Sequence, residues 1–308
     1  MKIIDAHAHV AQYIAGFTSR GELRAAGGGK AQYSSGEIFQ MFPPELGDIG
    51  VTPEALLKIM DENDVEKAVL LQGNWLGFQN EYTYAAVQKY PDRFVGAATY
   101  DPFCLKVEEI KKRLFDELNF KIVKFELSDG SGLMANRPPV DLDGEVMNGC
   151  YAHAREKGLT VVLDIGRPGG ACWQVDAVAS VVGKYPEVQF VICHLLAPQR
   201  GDKKLFEKSL KKLIAPNICF DYAALALNQK PEIYPYPTAV EYLKIARDIF
   251  GADRLMFGSD MPSTLARDSY RNLKNFVIES GAFNKRELED MFYNTAQKVY
   301  IKQERNYE

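Results

Sequence analysis

Short runs of β-branched and apolar residues recur along the chain, at 2–9, 67–72, 94–100, 121–127, 159–165, 188–194, 217–223 and 254–260. From the second run on, their starts lie about 27 to 38 residues apart, which is room for one strand, one helix and two loops. Between the runs the apolar period lengthens to that of a helix. Thr52-Pro53-Glu54 reads as an N-cap with proline in the first turn, followed by Leu56, Leu57, Ile59 and Met60. Val107, Ile110, Leu114 and Leu118 share one helical face, and Tyr242, Ile245, Ile249 and Phe250 repeat the pattern. Eight strand–helix units predict an α/β protein of the (β/α)₈ TIM-barrel type, with residues 1–308 as a single domain. An open doubly wound sheet is disfavoured because no GxGxxG follows the first strand. Gly27-Gly28-Gly29-Lys30 follows no predicted strand, lacks the Ser or Thr of a phosphate loop, and reads as a flexible surface loop.

The first crossover breaks the period. Residues 11–50 separate the first strand from its helix and mix Tyr13, Phe17, Tyr33, Phe39 and Phe42 with many glycines. Long structureless loops in compact domains are usually lids or binding loops. This one leaves the C-terminal end of the first strand, so it is expected over the barrel mouth. A contact between subunits is the alternative use.

A hydrophobic fraction of 46% and a charged fraction of 25% fit a globular chain with a large core. The formal charge of −4 without a dense basic run argues against a nucleic-acid partner. No apolar run reaches membrane-span length, and the N-terminus lacks the pattern of a secretory leader. Five scattered cysteines without a CxxC pair suit reduced thiols in a cytoplasmic setting. Cys193 neighbours His194, and strand alternation predicts that it faces outward.

The candidate chemistry sits at strand ends. Asp5-Ala6-His7-Ala8-His9 closes the first strand, and residues two apart share a face, so His7 and His9 should both point into the mouth, where two imidazoles can share one divalent cation. His194 ends the sixth strand. Asp260 ends the eighth, beside the first, placed to ligate a metal or take a proton from water. His153 lies in a helical pattern before the fifth strand and carries no expected site role.

These motifs resemble the amidohydrolase superfamily in its amidohydrolase-related branch, which includes aminocarboxymuconate-semialdehyde decarboxylase-like enzymes, hydroxybenzoate decarboxylases and lactone hydrolases. The resemblance spans the chain: the HxH of His7 and His9, the Tyr90–Phe94 region with Asp101-Pro102, His194, Phe257-Gly258-Ser259-Asp260-Met261-Pro262 and Asn294-Thr295-Ala296. It implies one divalent metal, zinc or alternatively manganese, held by the HxH pair, a strand-five residue and the strand-eight aspartate, with His194 as acid, base or electrostatic stabiliser. Asp164 stands where the strand-five histidine is expected, so the implied ligands are His7, His9, Asp164 and Asp260, a harder and more anionic set. Metal is dispensable in some lactone hydrolases of the branch. Lys124 ends the fourth strand and is expected to contact a substrate anion or pair with Glu126. Arg167 and Arg200 follow strands five and six, and point to a carboxylate-bearing small organic acid as substrate unless they form surface ion pairs. Homo-oligomerisation is also implied by the resemblance alone.

The expected activity is metal-dependent hydrolysis of a small carboxylate-bearing amide, ester or lactone, with catalysis by Asp260 and His194. Non-oxidative decarboxylation of an aromatic or muconate-type acid would use the same residues. A non-catalytic small-molecule-binding barrel is the third possibility, supported by the changed residue at Asp164.

Overall fold

Each of the eight apolar runs forms a strand in the computed structural model of the chain, which describes residues 1–136 and 139–301. In chain order the strands are β1 (Ile4–Ala8), β2 (Ala15–Thr18), β3 (Gly21–Gly27), β4 (Lys30–Tyr33), β5 (Ile38–Gln40), β6 (Lys67–Leu70), β7 (Phe94–Gly96), β8 (Ile122–Glu126), β9 (Thr160–Asp164), β10 (Gln189–Ile192), β11 (Ile218–Asp221) and β12 (Leu255–Met256). Strands β1, β6 and β7 pair in parallel, as do β8 to β12 in sequence order. Bridges from Ala98 to Val123 and from Ala8 to Met261 join the two groups. The result is a closed eight-stranded parallel barrel, as the spacing predicts.

Alternation along the strands sorts the interior into layers. Ile122, Val162, Val191, Cys219 and Met256 pack inside the barrel, over Ala296, Val299 and Tyr300 near the C-terminus. The Val299 carbonyl accepts from Thr160 Oγ1 at the start of β9, which puts this plug at the N-terminal end of the barrel. Two or four residues further along, the same parity carries Lys124, Glu126, Asp164 and Asp221 toward the C-terminal mouth, where enzymes of this fold build their sites.

Strand β1 departs from strict alternation. Ile4 and Ala6 belong to the inner cluster while Ala8 packs in the outer one. Three steps of β1, from Asp5 to Ala8, span two steps of β6, from Ala68 to Leu70. This bulge switches the faces, so His7 and His9 point inward although Ile4 and Ala6 do too.

Cys193 packs in the inner cluster, against the expectation that it faces outward. Strand β10 ends at Ile192, and alternation alone would turn His194 away from the mouth. The chain instead enters a left-handed turn: His194, Leu195, Leu196 and Ala197 have φ of 57°, 51°, 65° and 46°. Each such residue costs about 1–2 kcal/mol relative to a right-handed one.

The long first crossover is not structureless. Residues of β2 to β5 form a four-stranded antiparallel sheet. Gly27, Gly28 and Gly29 do follow a strand: all three have positive φ and make the turn between β3 and β4. The sheet is short-stranded and glycine-rich, so its alternation is too brief to stand out in sequence. With its flanks, the sheet packs Ile14, Leu23, Ala31, Met41 and Phe42 into the outer core.

The helices follow the pattern closely. Thr52 caps the helix Pro53–Glu62 by accepting from the Ala55 amide. The segment after Val107 starts as an α-helix and widens into π-type turns over Lys112–Glu117, burying Leu114 and Phe115. His153 lies half-buried on the helix Glu145–Lys157, with its ring 5.5 Å from that of Phe115, far from the mouth chemistry in role and consistent with a packing residue. Among the described residues no helix is long and apolar enough to cross a membrane.

Candidate metal-binding active site

The mouth holds a cavity of about 270 Å³ lined by His7, His9, Lys124, Glu126, Asp164, His194 and Asp260, with Trp75 among its apolar walls. Both imidazoles of the HxH pair are fixed through Nδ1. His7 Nδ1 donates to Asp221 Oδ2 at 3.1 Å, and His9 Nδ1 donates to the Leu71 carbonyl at 2.8 Å. A neutral imidazole that donates from Nδ1 keeps a lone pair on Nε2. His9 Nε2 lies 3.0 Å and His7 Nε2 3.7 Å from Asp260 Oδ1. A lone pair facing a carboxylate oxygen at such range requires a proton or a cation between them. Burial, then Lys124 nearby, lowers the His7 pKa to about 4, which keeps its ring neutral and suited to metal. The donor chemistry therefore fits a divalent cation on His7, His9 and Asp260.

A second grouping, His7 with His194 and Asp221, is geometrically close, but its donors are already committed. Asp221 accepts from His7 with Oδ2, and its Oδ1 accepts from the amides of His194 and Ala223. His194 Nδ1 donates to the Ala223 carbonyl at 2.9 Å and Nε2 lies 3.3 Å from Asp164 Oδ2. Burial opposes charge on this ring, but Asp164, with Asp260 and Asp221, outweighs it and raises the pKa to about 10. An imidazolium has no lone pair for a metal.

Asp164 lies in the cavity, as its strand-end position predicts, but its carboxylate is directed to His194 and to the Gly166 amide rather than into the donor group. Burial opposes its ionisation, yet His194 and Lys124 hold its pKa well below the ordinary carboxylate range. The same balance, with His9, His7 and His194 as the favourable partners, depresses Asp260. Lys124 is buried with Nζ 3.4 Å from His7 Nε2. Burial disfavours its charge, but Cys193, Asp164, Glu126 and Asp260 around it raise its pKa overall. Glu126 accepts from Ser131 Oγ at 2.7 Å, and burial raises its pKa. Arg167 and Arg200 do not line this cavity. Arg167 is exposed on the loop after β9, and Arg200 lies 3.8 Å from Glu232.

Two buried aspartates support the site, although nothing in the sequence pattern assigns either a role. Asp221 sits in Ile218-Cys219-Phe220-Asp221, where a carboxylate closing an apolar strand is the available signal. Asp5 accepts from the amides of His7 and Ser259 with Oδ1, and from Tyr270 Oη with Oδ2, tying β1 to the segment that carries Asp260. Burial raises its pKa to about 6. Gly258 is a third hidden element: a Cβ there would lie 2.7 Å from His7 Cβ and 3.0 Å from that of Ala223. Gly258→Ala is expected to displace His7, weaken metal binding, and cost about 1–3 kcal/mol of stability from overpacking. Metal titration beside chemical denaturation checks this.

A family model, Amidohydro_2, described as amidohydrolase, matches residues 4–301. The chain belongs to the amidohydrolase family. Solved structures agree on the fold of this amidohydrolase. A probable 2-pyrone-4,6-dicarboxylic acid hydrolase from Acinetobacter baumannii, with citric acid bound, superimposes with TM-score 0.70 at 18% identity, over 97% of this chain and 99% of the other. An amidohydrolase from Burkholderia multivorans with bound zinc gives 0.71 at 17% identity, over 97% and 99%. A 5-carboxyvanillate decarboxylase from Novosphingobium aromaticivorans, complexed with manganese and 4-hydroxy-3-methoxy-5-nitrobenzoic acid, gives 0.55 at 16% identity, over 80% and 79%. A search of curated protein sequences finds no significant match.

Proposed function

We propose that this amidohydrolase is a metal-dependent hydrolase of a small carboxylate-bearing ester, lactone or amide. The observation that carries the reading is the convergence of two Nε2 lone pairs on Asp260 Oδ1, beside the buried cations Lys124 and His194 in one cavity. His7, His9 and Asp260 would hold the ion, zinc first and manganese second. A divalent cation there supplies Lewis acidity, polarising a carbonyl and drawing the pKa of water toward about 7.

The chain's own groups account for the rest. Asp221 and the Leu71 carbonyl fix the two imidazoles in the tautomer that faces the ion. Asp260, ionised and at the edge of the cavity, accepts a proton as water attacks the carbonyl. His194 presents positive charge to the carbonyl oxygen as it becomes anionic, with Asp164 keeping the ring protonated. Lys124 pairs with the substrate's carboxylate. Arg167 and Arg200, which line no part of the cavity, have no role in this reading.

The role of Asp164 has its own test. In Asp164→Asn the His194 ring loses the partner that raises its pKa, so it deprotonates at lower pH. Since the raised pKa favours the protonated form, the charge persists up to about pH 10 in the parent and is lost as pH rises through that value. The alkaline limb of kcat/KM is expected to move toward neutrality in the variant. An unmoved limb would detach Asp164 from His194.

The reading as a whole is tested by elemental analysis of protein purified without chelator, beside His7→Ala and His9→Ala, and by turnover on ester and lactone panels. About one equivalent of zinc or manganese, lost in both variants, with hydrolysis dependent on it, is the expected result. CO₂ release from aromatic or muconate-type acids without hydrolysis would assign the same residues to decarboxylation. Ligand-induced melting shifts with no turnover would make the barrel a binding protein.

A further inference from the structure

Three carboxyl groups line the catalytic cavity, and the chemistry given above uses two of them. Asp260 faces the imidazoles of His9 and His7, and Asp164 faces that of His194. Glu126, the third, forms no ion pair among the described residues, and its hydrogen-bond partners are neutral. Ser131 Oγ donates to its Oε1 at 2.7 Å, while the Trp75 amide reaches Oε2 only at 3.4 Å, long for such a bond. Ser131 is itself held through its amide, which donates to Ser128 Oγ at 3.2 Å. Gly73 leaves the room that the carboxyl occupies: a Cβ there would lie 2.0 Å from Oε2 and 2.9 Å from Cδ of Glu126. Gly73, Trp75, Glu126 and Ser131 all line the cavity, so the carboxyl is set into its wall with Oε2 as the freer oxygen. A buried carboxyl without a cation against it favours the protonated form. Burial is the largest influence here and pushes the pKa up; Lys124, two residues back on β8, opposes the rise, and Asp164 on the neighbouring strand adds to it.

Cleavage of an ester, lactone or amide by water needs two proton transfers, one from the attacking water and one to the leaving oxygen or nitrogen. The first calls for an ionised carboxylate and the second for a protonated one, and this cavity holds one of each kind in Asp260 and Glu126. We infer that Glu126 Oε2 delivers the proton to the leaving oxygen or nitrogen of the scissile bond. The inference rests on the hydrolytic reading of the cavity and adds a catalytic residue to it. As the bond from the carbonyl carbon breaks, its electron pair stays on the leaving atom, which takes the Glu126 proton. The proton that Asp260 accepted from water passes to solvent, and Glu126 regains one from solvent before the next turnover.

Leaving-group dependence in the metal-loaded full chain tests this. The probes are the 4-nitrophenyl, phenyl and ethyl monoesters of adipic acid, whose leaving groups rise in basicity in that order. A leaving group that departs as a stable anion needs no acid, so Glu126→Gln should change kcat on the 4-nitrophenyl ester by no more than about threefold. On the ethyl ester kcat should fall about a hundredfold or more, with KM nearly unchanged. Gly73→Ala serves if that variant does not fold: the atoms nearest the added methyl all belong to the Glu126 side chain, so the carboxyl gives way, and the same ordering of losses is expected. Infrared difference spectra of parent against Glu126→Gln, at the pH of the assays, supply a readout without turnover. The C=O band of a protonated carboxyl should be present in the parent and missing from the variant. No such band, or equal slowing of all three esters, overturns the donor role while hydrolysis itself stands. A uniform rise in KM would make Glu126 a substrate-holding group instead. If the parent cleaves none of the esters, the hydrolytic reading fails and the donor role fails with it.

Discussion

Asp260→Asn is expected to reduce turnover by about a thousandfold or more while the barrel keeps its cooperative unfolding. The backbone explains why the substitution isolates chemistry from folding. Asp260 has a φ of 58°, and its amide donates to the His7 carbonyl at 2.8 Å, part of the seam between β12 and β1. Asparagine adopts this left-handed conformation as readily as aspartate and keeps an oxygen to face His9 Nε2. It removes the negative charge that the two Nε2 atoms converge on and the basicity needed to take a proton. Metal content, turnover and denaturation on one preparation decide the matter. Retained turnover would remove Asp260 from the reaction, whereas a loss of folded protein would make it a seam residue.

The second large effect is expected at Asp221, which does not itself line the cavity but holds His7, which does. Asp221→Ala leaves His7 Nδ1 and the amides of His194 and Ala223 buried without their acceptor. Each unpaired group costs about 1–3 kcal/mol, so a total loss of about 3 kcal/mol or more is expected. The amide of His194 opens the left-handed turn, so this carboxylate also holds strained backbone in place. Asp221→Asn separates folding from ligation. Its oxygen can still accept from the two amides while its NH₂ meets His7 Nδ1, which pushes the ring proton to Nε2 and turns the donor atom away from the ion. That variant should fold near-normally and bind metal about 10–100-fold more weakly. Equal metal affinity in Asp221→Asn and parent would show that His7 does not ligate through Nε2.

The barrel was readable because its strands are buried on both faces and announce themselves as apolar runs at a regular interval. His7, His9 and Asp260 were readable because polar residues closing such runs have few structural uses. What alternation could not supply is how the side chains arrive. His7 and His9 face inward through a bulge, and His194 reaches the mouth through four left-handed residues, neither of which has a side-chain signature. Alternation misplaces Cys193 for the same reason, because it counts from a His194 that does not lie on the strand. Asp221 and Gly258 act through a neighbour, one by hydrogen bonding and one by having no side chain, so only coordinates reveal them. The strands of the first crossover were hidden by their brevity and their glycines.

The ends of that crossover have a consequence for how such a protein changes over time. Ala11 and Val51 exchange two backbone hydrogen bonds, of 3.1 Å and 2.7 Å, so the chain leaves the barrel and re-enters it at one point. A segment with adjoining ends is topologically a cassette: another of different length can replace it without moving a barrel strand. Simple excision is a different matter, because it would strip Ile14, Leu23 and Phe42 from the outer core that they share with the barrel. Inheritance should therefore favour exchange of one covered module for another with its own apolar underside, while the barrel and its candidate site stay fixed.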